Sequence, residues 1–255
     1  MSFDNEAIFT KENLDGYLKE LAKAFRKRNG TSMPAEIILV GGAAILVNYG
    51  FRAMTTDIDA IIHAASSMKD AINEVGNRHD LPAGWLNTEF MQTGSFSPKL
   101  VEHSVYYRTF SNVLQIRTVS AEHLIAMKLR SGRQYKNDLS DVLGILAEHE
   151  KRGEPIQLEQ IETAVAHLYG SWEAIPAESK TFINDAFSRG NFQQTYASIR
   201  QAEQDAKTML LDFEYQYPGT MKEETVNEIL GNLKSNKAAL LRRLKQNERK
   251  SDQSR

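Results

Sequence analysis

The chain has 255 residues, of which 41% are hydrophobic, and this is enough for one large domain or two smaller ones with a buried core. It contains no cysteine, which excludes disulfides, thiolate zinc sites and a cysteine nucleophile and agrees with a reducing cytoplasm. The formal net charge of −2, from 31 Lys and Arg against 33 Asp and Glu, excludes an overall attraction to polyanions. Because no stretch approaches about 18 consecutive apolar residues, we expect a cytoplasmic protein that makes no membrane contact.

The first half of the chain alternates between helix and strand patterns. Thr10 can cap a helix over residues 10–28, and Asn29 with Gly30 marks its end. Short apolar runs between turn residues predict buried strands. The further expectations in this half are strands at residues 36–40, 57–62, 105–107 and 113–119, helices at 43–49 and 66–78, and a loop at 81–99.

Beyond residue 120, apolar residues recur at spacings of three and four, which is typical of amphipathic helices. Helices are predicted at residues 120–131, 136–151, 158–169, 178–189, 192–216 and 223–245. The fold class is therefore α/β, with a small mixed sheet, followed by an all-α C-terminal region. The segment Arg152-Gly-Glu-Pro155 suggests a boundary between a domain over residues 1–152 and a helical domain over residues 153–255.

A glycine turn and a pair of aspartates carry the main functional hypothesis. Gly41 and Gly42 lie between a predicted strand and a predicted helix, where the backbone can approach a ligand closely and the helix offers amide donors to phosphate. Asp57 and Asp59 open the next strand, and because side chains alternate along a strand, both carboxylates point to the same side. Two adjacent carboxylates attract a hard cation such as Mg2+. Each pattern alone is common, but together they favour a site for a metal ion and a triphosphate.

These residues also carry a family resemblance. Gly41-Gly42, then Arg52, then Thr56-Asp57-Ile58-Asp59, resembles the signature of the polymerase-β-type nucleotidyltransferase superfamily. More narrowly, it is similar to the AbiEii-like toxin branch and related minimal nucleotidyltransferases of bacterial defence and toxin–antitoxin loci. The resemblance implies that the glycine turn contacts phosphate and that the two aspartates bind the metal ions, Mg2+ or Mn2+. It also implies nucleotide binding by Arg52 and Thr56, although Arg52 could equally pair with a surface acid.

A second block extends the resemblance over roughly residues 35–147. Residues 119–128, Arg133 and residues 136–141 are similar to the strand, lysine helix, arginine and lysine-Asp-x-x-Asp block of the toxin-like enzymes. This similarity implies catalytic roles for Lys128 and Asp138 and a contact of Arg133 with the nucleotide.

The residue pattern gives Lys128 a second interpretation. Lys128 lies on the apolar stripe of the helix predicted at residues 120–131, so its ammonium group must find an anion or reach out to solvent. The anion could be a triphosphate, whose leaving group the ammonium would stabilise. Asp138 and Asp141 lie three residues apart on the next helix, and we expect one of them to pair with Lys128 or Arg133. Such a pair could equally be purely structural.

One feature departs from the superfamily pattern. Many members place a third carboxylate on a later strand, whereas the strand predicted at residues 113–119 offers Gln115 and Arg117. Glu89, Glu102 or Asp138 could take its place. The sequence therefore does not identify the general base that would deprotonate the acceptor hydroxyl.

The resemblance implies an enzyme that uses Mg2+ to move a nucleoside monophosphate from an NTP to an acceptor hydroxyl, as a toxin or defence component. RNA is the expected acceptor, with a tRNA 3′ end as the leading case, and a cognate antitoxin could be a partner. The segment 241–255 holds six cations and two acids, a balance of +4, and could bind an RNA backbone or simply be a solvated helix end.

The alternative to this enzyme is a catalytically weak module of the same fold that binds nucleotide, RNA or an antitoxin. The six histidines show no His-x-x-x-His spacing, so the sequence predicts no zinc site.

Overall fold

The computed structural model describes residues 7–222 and 225–252, with side chains described as far as residue 239. Its strands are β1 Ala35–Leu39, β2 Ile58–His63, β3 Leu86–Asn87, β4 Ser104–Phe110 and β5 Leu114–Val119. Its α-helices are α1 Lys11–Asn29, α2 Gly41–Asn48, α3 Ser67–Arg78, α4 Ala121–Ser131, α5 Asp138–Lys151, α6 Leu158–Tyr169, α7 Ala177–Arg189, α8 Phe192–Gln216 and α9 Val226–Asp252. Short 3-10 helices lie at Glu89–Gln92, Pro98–Leu100 and Trp172–Ala174.

The five strands form one mixed sheet in the order β3-β2-β1-β5-β4. The central strand β1 pairs with β2 in antiparallel and with β5 in parallel orientation. Ile37, Ile38 and Leu39 of β1 are fully buried, as expected for a central strand covered on both faces. The α/β class with a helical C-terminal region is thereby confirmed.

The first helix begins and ends as its sequence predicts. The Thr10 side chain accepts a hydrogen bond from the Asn13 amide, and the Asn13 side chain accepts one from the Thr10 amide, which is a capping box. Gly30 ends the helix with a φ of 68°. Just before the helix, Phe9 forms an isolated antiparallel bridge with Thr55, which anchors the segment leading to β2.

The segment predicted as a loop at residues 81–99 contains more structure than its sequence signals. β3 extends the sheet by two residues beside β2, and two 3-10 helices follow. Trp85 explains the order of this segment, because it is 3% exposed and its indole donates a hydrogen bond to the Ile72 carbonyl. A two-residue strand and a 3-10 turn are too short to produce a recognisable period.

The chain forms two compact units. The first contains residues 7–132 and 141–193, and the second contains residues 133–140 and the described residues from 194 onward. The second unit has its own apolar cluster, in which Ala206 and Leu210 of α8 pack with Val226 and Leu230 of α9. Residues 152 and 153 both lie in the first unit, and the division into domains there stays a prediction.

Within the described part of the chain, none of the helices combines the length and the apolar character that crossing a lipid bilayer requires.

Candidate active site

The glycine turn is joined to the aspartate strand through the backbone. The amide of Val40 donates a hydrogen bond of 3.0 Å to the carbonyl of Asp59. Helix α2 then begins at Gly41, whose φ of 53° lies in the left-handed region that favours glycine. Val40 offers no side-chain cap to this helix. The first turn of α2 therefore presents backbone amides beside Asp59, as an anion-binding helix start does.

Gly42 is required for a close approach by two side chains. A Cβ atom at Gly42 would lie 2.7 Å from Thr55 Oγ1 and 2.8 Å from Arg52 Nη2, closer than real Cβ contacts allow. The absence of a side chain thus lets the Arg52 guanidinium lie against the turn. The sequence suggested that Gly42 admits a ligand, and the structure shows that it admits Arg52 and Thr55.

Asp57 and Asp59 flank a core residue. Ile58 between them is fully buried, whereas Asp57 is exposed and Asp59 is half-buried. Asp59 is the second residue of β2 and Asp57 directly precedes the strand, so strand alternation predicts both carboxylates on the side opposite Ile58. In the sheet, Asp59 is in register with Asn87 of β3, so a carboxamide side chain stands on the neighbouring strand.

A hydrogen-bond relay leads from Arg52 to Asp57. Arg52 Nη2 donates to Thr55 Oγ1 at 3.4 Å, and this hydroxyl donates to Asp57 Oδ1 at 3.0 Å. Thr55 is only 3% exposed. Its amide donates a hydrogen bond to the Phe9 carbonyl, and its carbonyl accepts one from the Phe9 amide. The relay consequently fixes the position of the Asp57 carboxylate from the interior of the protein.

Arg52 and Lys128 share one buried carboxylate. Asp141 Oδ2 lies 2.6 Å from Arg52 Nη1 and 2.9 Å from Lys128 Nζ. The side chains are 13%, 11% and 4% exposed for Arg52, Lys128 and Asp141. Such charges tolerate burial only because they pair. Asp141 is therefore an anion for Lys128, and the pairing brings the cations of Arg52 and Lys128 to one carboxylate of α5.

Arg133 and Asp138 belong to the second unit and bind each other there. Asp138 is fully buried, and its Oδ2 accepts from Arg133 Nε at 2.8 Å and from the Arg133 amide at 3.2 Å. Glu203 of α8 caps the same helix by accepting from the amides of Leu139 and Ser140. These contacts hold the residues that precede α5 in place. They agree with a structural role for Asp138, which is one of the two interpretations that the sequence left open.

Thr55 and Asp141 thus link Arg52 to Asp57 and to Lys128 through side-chain contacts, and Arg52 lies against Gly42. The backbone hydrogen bond from Val40 joins Asp59 to the glycine turn. Thr56 is exposed, and the threonine that contacts Asp57 is Thr55. The sequence pattern assigns no role to Thr55, and the family resemblance implies a catalytic role for Asp138 and not for Asp141. Burial separates Thr55 from Thr56, because the first is buried and the second is exposed. A single sequence does not show which of two adjacent threonines faces the interior.

The candidates for a third carboxylate lie on different elements. Arg117 of β5 donates to the Ser104 hydroxyl, so β5 supplies a cation where many superfamily members carry an acid. Glu89 is exposed and begins the 3-10 helix two residues beyond Asn87, and its amide donates to the Asn87 side chain. Asn87 is a polar neighbour of Asp59 that the sequence placed in an irregular loop.

Comparison with known proteins identifies the family of the part of the chain that carries this site. The family model described as "Nucleotidyltransferase of unknown function (DUF6036)" matches residues 16–150, which is just over half of the 255 residues and includes Gly41, Gly42, Asp57, Asp59 and Lys128. No curated protein and no solved structure matches the chain. The similarity to the AbiEii-like branch stays a prediction. The chain belongs to this family of nucleotidyltransferases.

Proposed function

We propose that this protein uses Mg2+ or Mn2+ to transfer a nucleoside monophosphate from an NTP to an acceptor hydroxyl at the site formed by Gly42, Asp57 and Asp59. One observation carries the proposal. The Arg52 side chain lies against Gly42 and is connected through the Thr55 hydroxyl to Asp57, so that a cation, a helix start and a carboxylate meet at one corner.

The donor set suits a hard divalent cation. Strand alternation would put the carboxylates of Asp57 and Asp59 on one side of β2, and the exposure of Asp57 would allow a metal ion to keep open positions for phosphate oxygens. When bound, Mg2+ supplies Lewis acid stabilisation to the oxygens of the triphosphate. Asp57 is held from behind by the Thr55 hydroxyl, and this contact orients the carboxylate before a ligand arrives.

The remaining groups suit a triphosphate. The first amides of α2, from Gly41 onward, have no partner within the helix. Together with the positive end of the helix dipole, they favour a phosphate at the start of α2. Arg52 stands beside this turn, anchored by Asp141, and Lys128 shares the same carboxylate. Anchored cations resist reorganisation as charge develops on the leaving group.

In the proposed step, the acceptor hydroxyl gives its proton to solvent as its oxygen attacks the α-phosphorus. The bond from that phosphorus to the oxygen bridging to the β-phosphate breaks, and pyrophosphate leaves. Asp57 and Asp59 would hold the metal ion that binds the phosphate oxygens at the reacting end of the nucleotide, while Arg52 and the α2 amides stabilise the negative charge that passes to pyrophosphate. The protein's contribution is mostly positioning and charge stabilisation.

The acceptor is RNA in this proposal, with a tRNA 3′ end as the leading case and a role as a toxin or defence component. The resemblance to the toxin-like branch supports this choice. The basic segment 241–255 supports it through its charge of +4, and its side chains lie outside the described ones. A cognate antitoxin would be the natural partner of such an enzyme.

Thermal stability measured with metal and nucleotide together tests the proposal. The melting temperature should rise when both Mg2+ and an NTP are present, and by less with either alone, because each completes the site of the other. Asp57→Asn and Asp59→Asn should lose this joint effect. If the wild-type protein shows a shift with NTP that is independent of metal, the chain is a nucleotide-binding module and not this enzyme.

A further inference from the structure

Three histidines outside the proposed active site converge in the first unit. His103 precedes β4, His123 lies on α4 and His167 lies on α6, and one ring nitrogen of each lies within 4.8 Å of the others. The sequence predicted no zinc site because no two histidines have the spacing of neighbouring ligands on one helix. Ligands that come from three separate elements need no such spacing.

The elements that carry these histidines are packed together. Helix α4 packs against α6, and α6 also packs against the 3-10 helix at Pro98–Leu100. The amide of Ser120 donates a hydrogen bond of 2.9 Å to the carbonyl of His103, which ties the start of α4 to the segment before β4. The backbone positions of the three histidines are therefore set by the fold.

His123 has a ring nitrogen that the rest of the described structure does not use. The ring is 8% exposed, and its Nδ1 lies 2.8 Å from the Ser120 hydroxyl oxygen. Its Nε2 is buried and has no hydrogen-bond partner among the described groups. A buried polar atom without a partner is unfavourable, and such atoms are rare in folded proteins. A histidine held at one nitrogen by a hydrogen bond and open at the other has the arrangement of a metal ligand.

The three imidazole rings are stacked. The His103 ring lies 3.9 Å from the His123 ring and 4.9 Å from the His167 ring, measured between centroids. Burial, together with the neighbouring His103, lowers the pKa of His123 to about 4. Burial favours the neutral form of the His123 ring, and neutral imidazole is the form that binds a metal ion.

We propose that His103, His123 and His167 bind a divalent transition-metal ion of the zinc type. Three imidazole nitrogens suit Zn2+ and its neighbours in the first transition row, whereas the carboxylates of Asp57 and Asp59 suit hard cations. His167 is exposed, so the fourth position of a tetrahedral ion would face solvent and take a water molecule. The ion would join α4, α6 and the segment before β4. This site is independent of the proposed nucleotide transfer.

Metal binding requires the rings to turn. Their planes lie within 12° of one another, and nearly parallel rings cannot all direct a nitrogen at one ion. Tetrahedral zinc also brings its nitrogen ligands to about 3.4 Å from one another, which follows from zinc–nitrogen bonds of about 2.0–2.1 Å. Exposed His167 can rotate towards the buried Nε2 of His123. The stacking should accordingly be lost when the ion binds.

Titration with the metal alone tests the site. The full chain, without a histidine tag and freed of metal by chelation, is titrated with ZnCl2 by calorimetry and with CoCl2 by visible absorption. We expect one ion per chain, the absorption of tetrahedral nitrogen-bound Co2+, and a higher melting temperature with Zn2+ but not with Mg2+. His167→Asn and His103→Asn should each weaken binding by at least about tenfold, and Ser120→Ala should weaken it by about tenfold through loss of the contact that orients His123.

The matched control is His63→Asn, because His63 is exposed, lies on β2 and takes no part in the cluster. It should bind Zn2+ as the wild type does. His123→Asn should abolish binding, and if this buried change prevents folding, the two more exposed positions decide the question. The proposal is overturned if the wild type binds no Zn2+, or if the His167→Asn and His103→Asn double variant binds it with unchanged affinity.

Discussion

Two aspartates three residues apart on helix α5 perform different tasks in this protein. Asp141 holds Arg52 and Lys128 in the first unit, and all three side chains are at most 13% exposed. Asp138 holds Arg133 in the second unit, and the Arg133 side chain is 31% exposed. Only Asp141 binds the arginine that leads through Thr55 to Asp57. The role of each carboxylate is thus set by the cation that the fold brings to it, and the spacing in the sequence does not reveal it.

Replacing each aspartate by asparagine tests this comparison and should give the largest difference in stability. Asp141→Asn leaves two buried cations without their carboxylate, which should destabilise the protein by about 3–5 kcal/mol. Asp138→Asn should cost about 1–3 kcal/mol, because water can solvate part of the Arg133 side chain. Urea-induced unfolding followed by circular dichroism measures both. An equal or larger loss for Asp138→Asn would contradict the comparison.

The same pair can be compared in nucleotide binding. Under conditions where both variants are folded, Asp141→Asn should weaken NTP affinity, since Arg52 and Lys128 lose their anchor beside the glycine turn. Asp138→Asn should leave it close to that of the wild type. Retained affinity in Asp141→Asn would show that the anchored cations do not contact the nucleotide.

A substitution at Gly42 tests whether the position of Arg52 matters for nucleotide binding. A methyl group at this position would meet Thr55 Oγ1 and Arg52 Nη2, so Gly42→Ala should displace both and cost about 1–3 kcal/mol. NTP affinity should fall in parallel. Gly50→Ala is the control, because a Cβ atom there meets nothing within 4 Å. Unchanged NTP affinity in folded Gly42→Ala, measured by titration, would remove the close approach of Arg52 from the site.

These positions also show which features of the fold and of the site could be predicted from the sequence. The strands of the sheet and the glycine turn follow from local patterns, namely β-branched apolar runs and a Gly-Gly pair. The shared side of Asp57 and Asp59 stays a prediction from strand alternation. The pairing of Asp141 with Arg52 joins residues 89 positions apart, and no local period contains it. The cluster of His103, His123 and His167 is hidden for the same reason. Tertiary contacts of this kind depend on how the elements pack, which a single sequence does not display.

Thr55 and Thr56 provide a smaller test of the relay. Thr55→Val removes the hydroxyl between Arg52 and Asp57 and should cost about 1 kcal/mol of stability. It should also lower the rate of nucleotide transfer, because Asp57 loses the contact that orients it. Thr56→Val changes an exposed side chain and should affect neither quantity. If Thr56→Val lowers transfer more than Thr55→Val does, the resemblance chose the correct threonine and the relay is unimportant.

The basic segment 241–255 should have the smallest effect on stability. Its removal should leave the melting temperature of the first unit unchanged but weaken RNA binding and flatten the dependence of affinity on salt. Each lost phosphate contact lowers the slope by roughly 0.7–0.9. Binding measured across salt concentrations checks this, and an identical slope would mean that the segment is a solvated helix end.

The transfer reaction itself tests the central claim most directly. Wild-type protein is incubated with Mg2+, total RNA and each α-labelled NTP, beside Asp57→Asn, Asp59→Asn and the exposed control Asp185→Asn. We predict label in RNA for the wild type and the control, and none for the two active-site variants. Their stability should be unchanged or higher, on the order of 1 kcal/mol, because one of two repelling charges is removed. Full transfer by both Asp57→Asn and Asp59→Asn, or no label in any macromolecule with the wild type, would contradict the account.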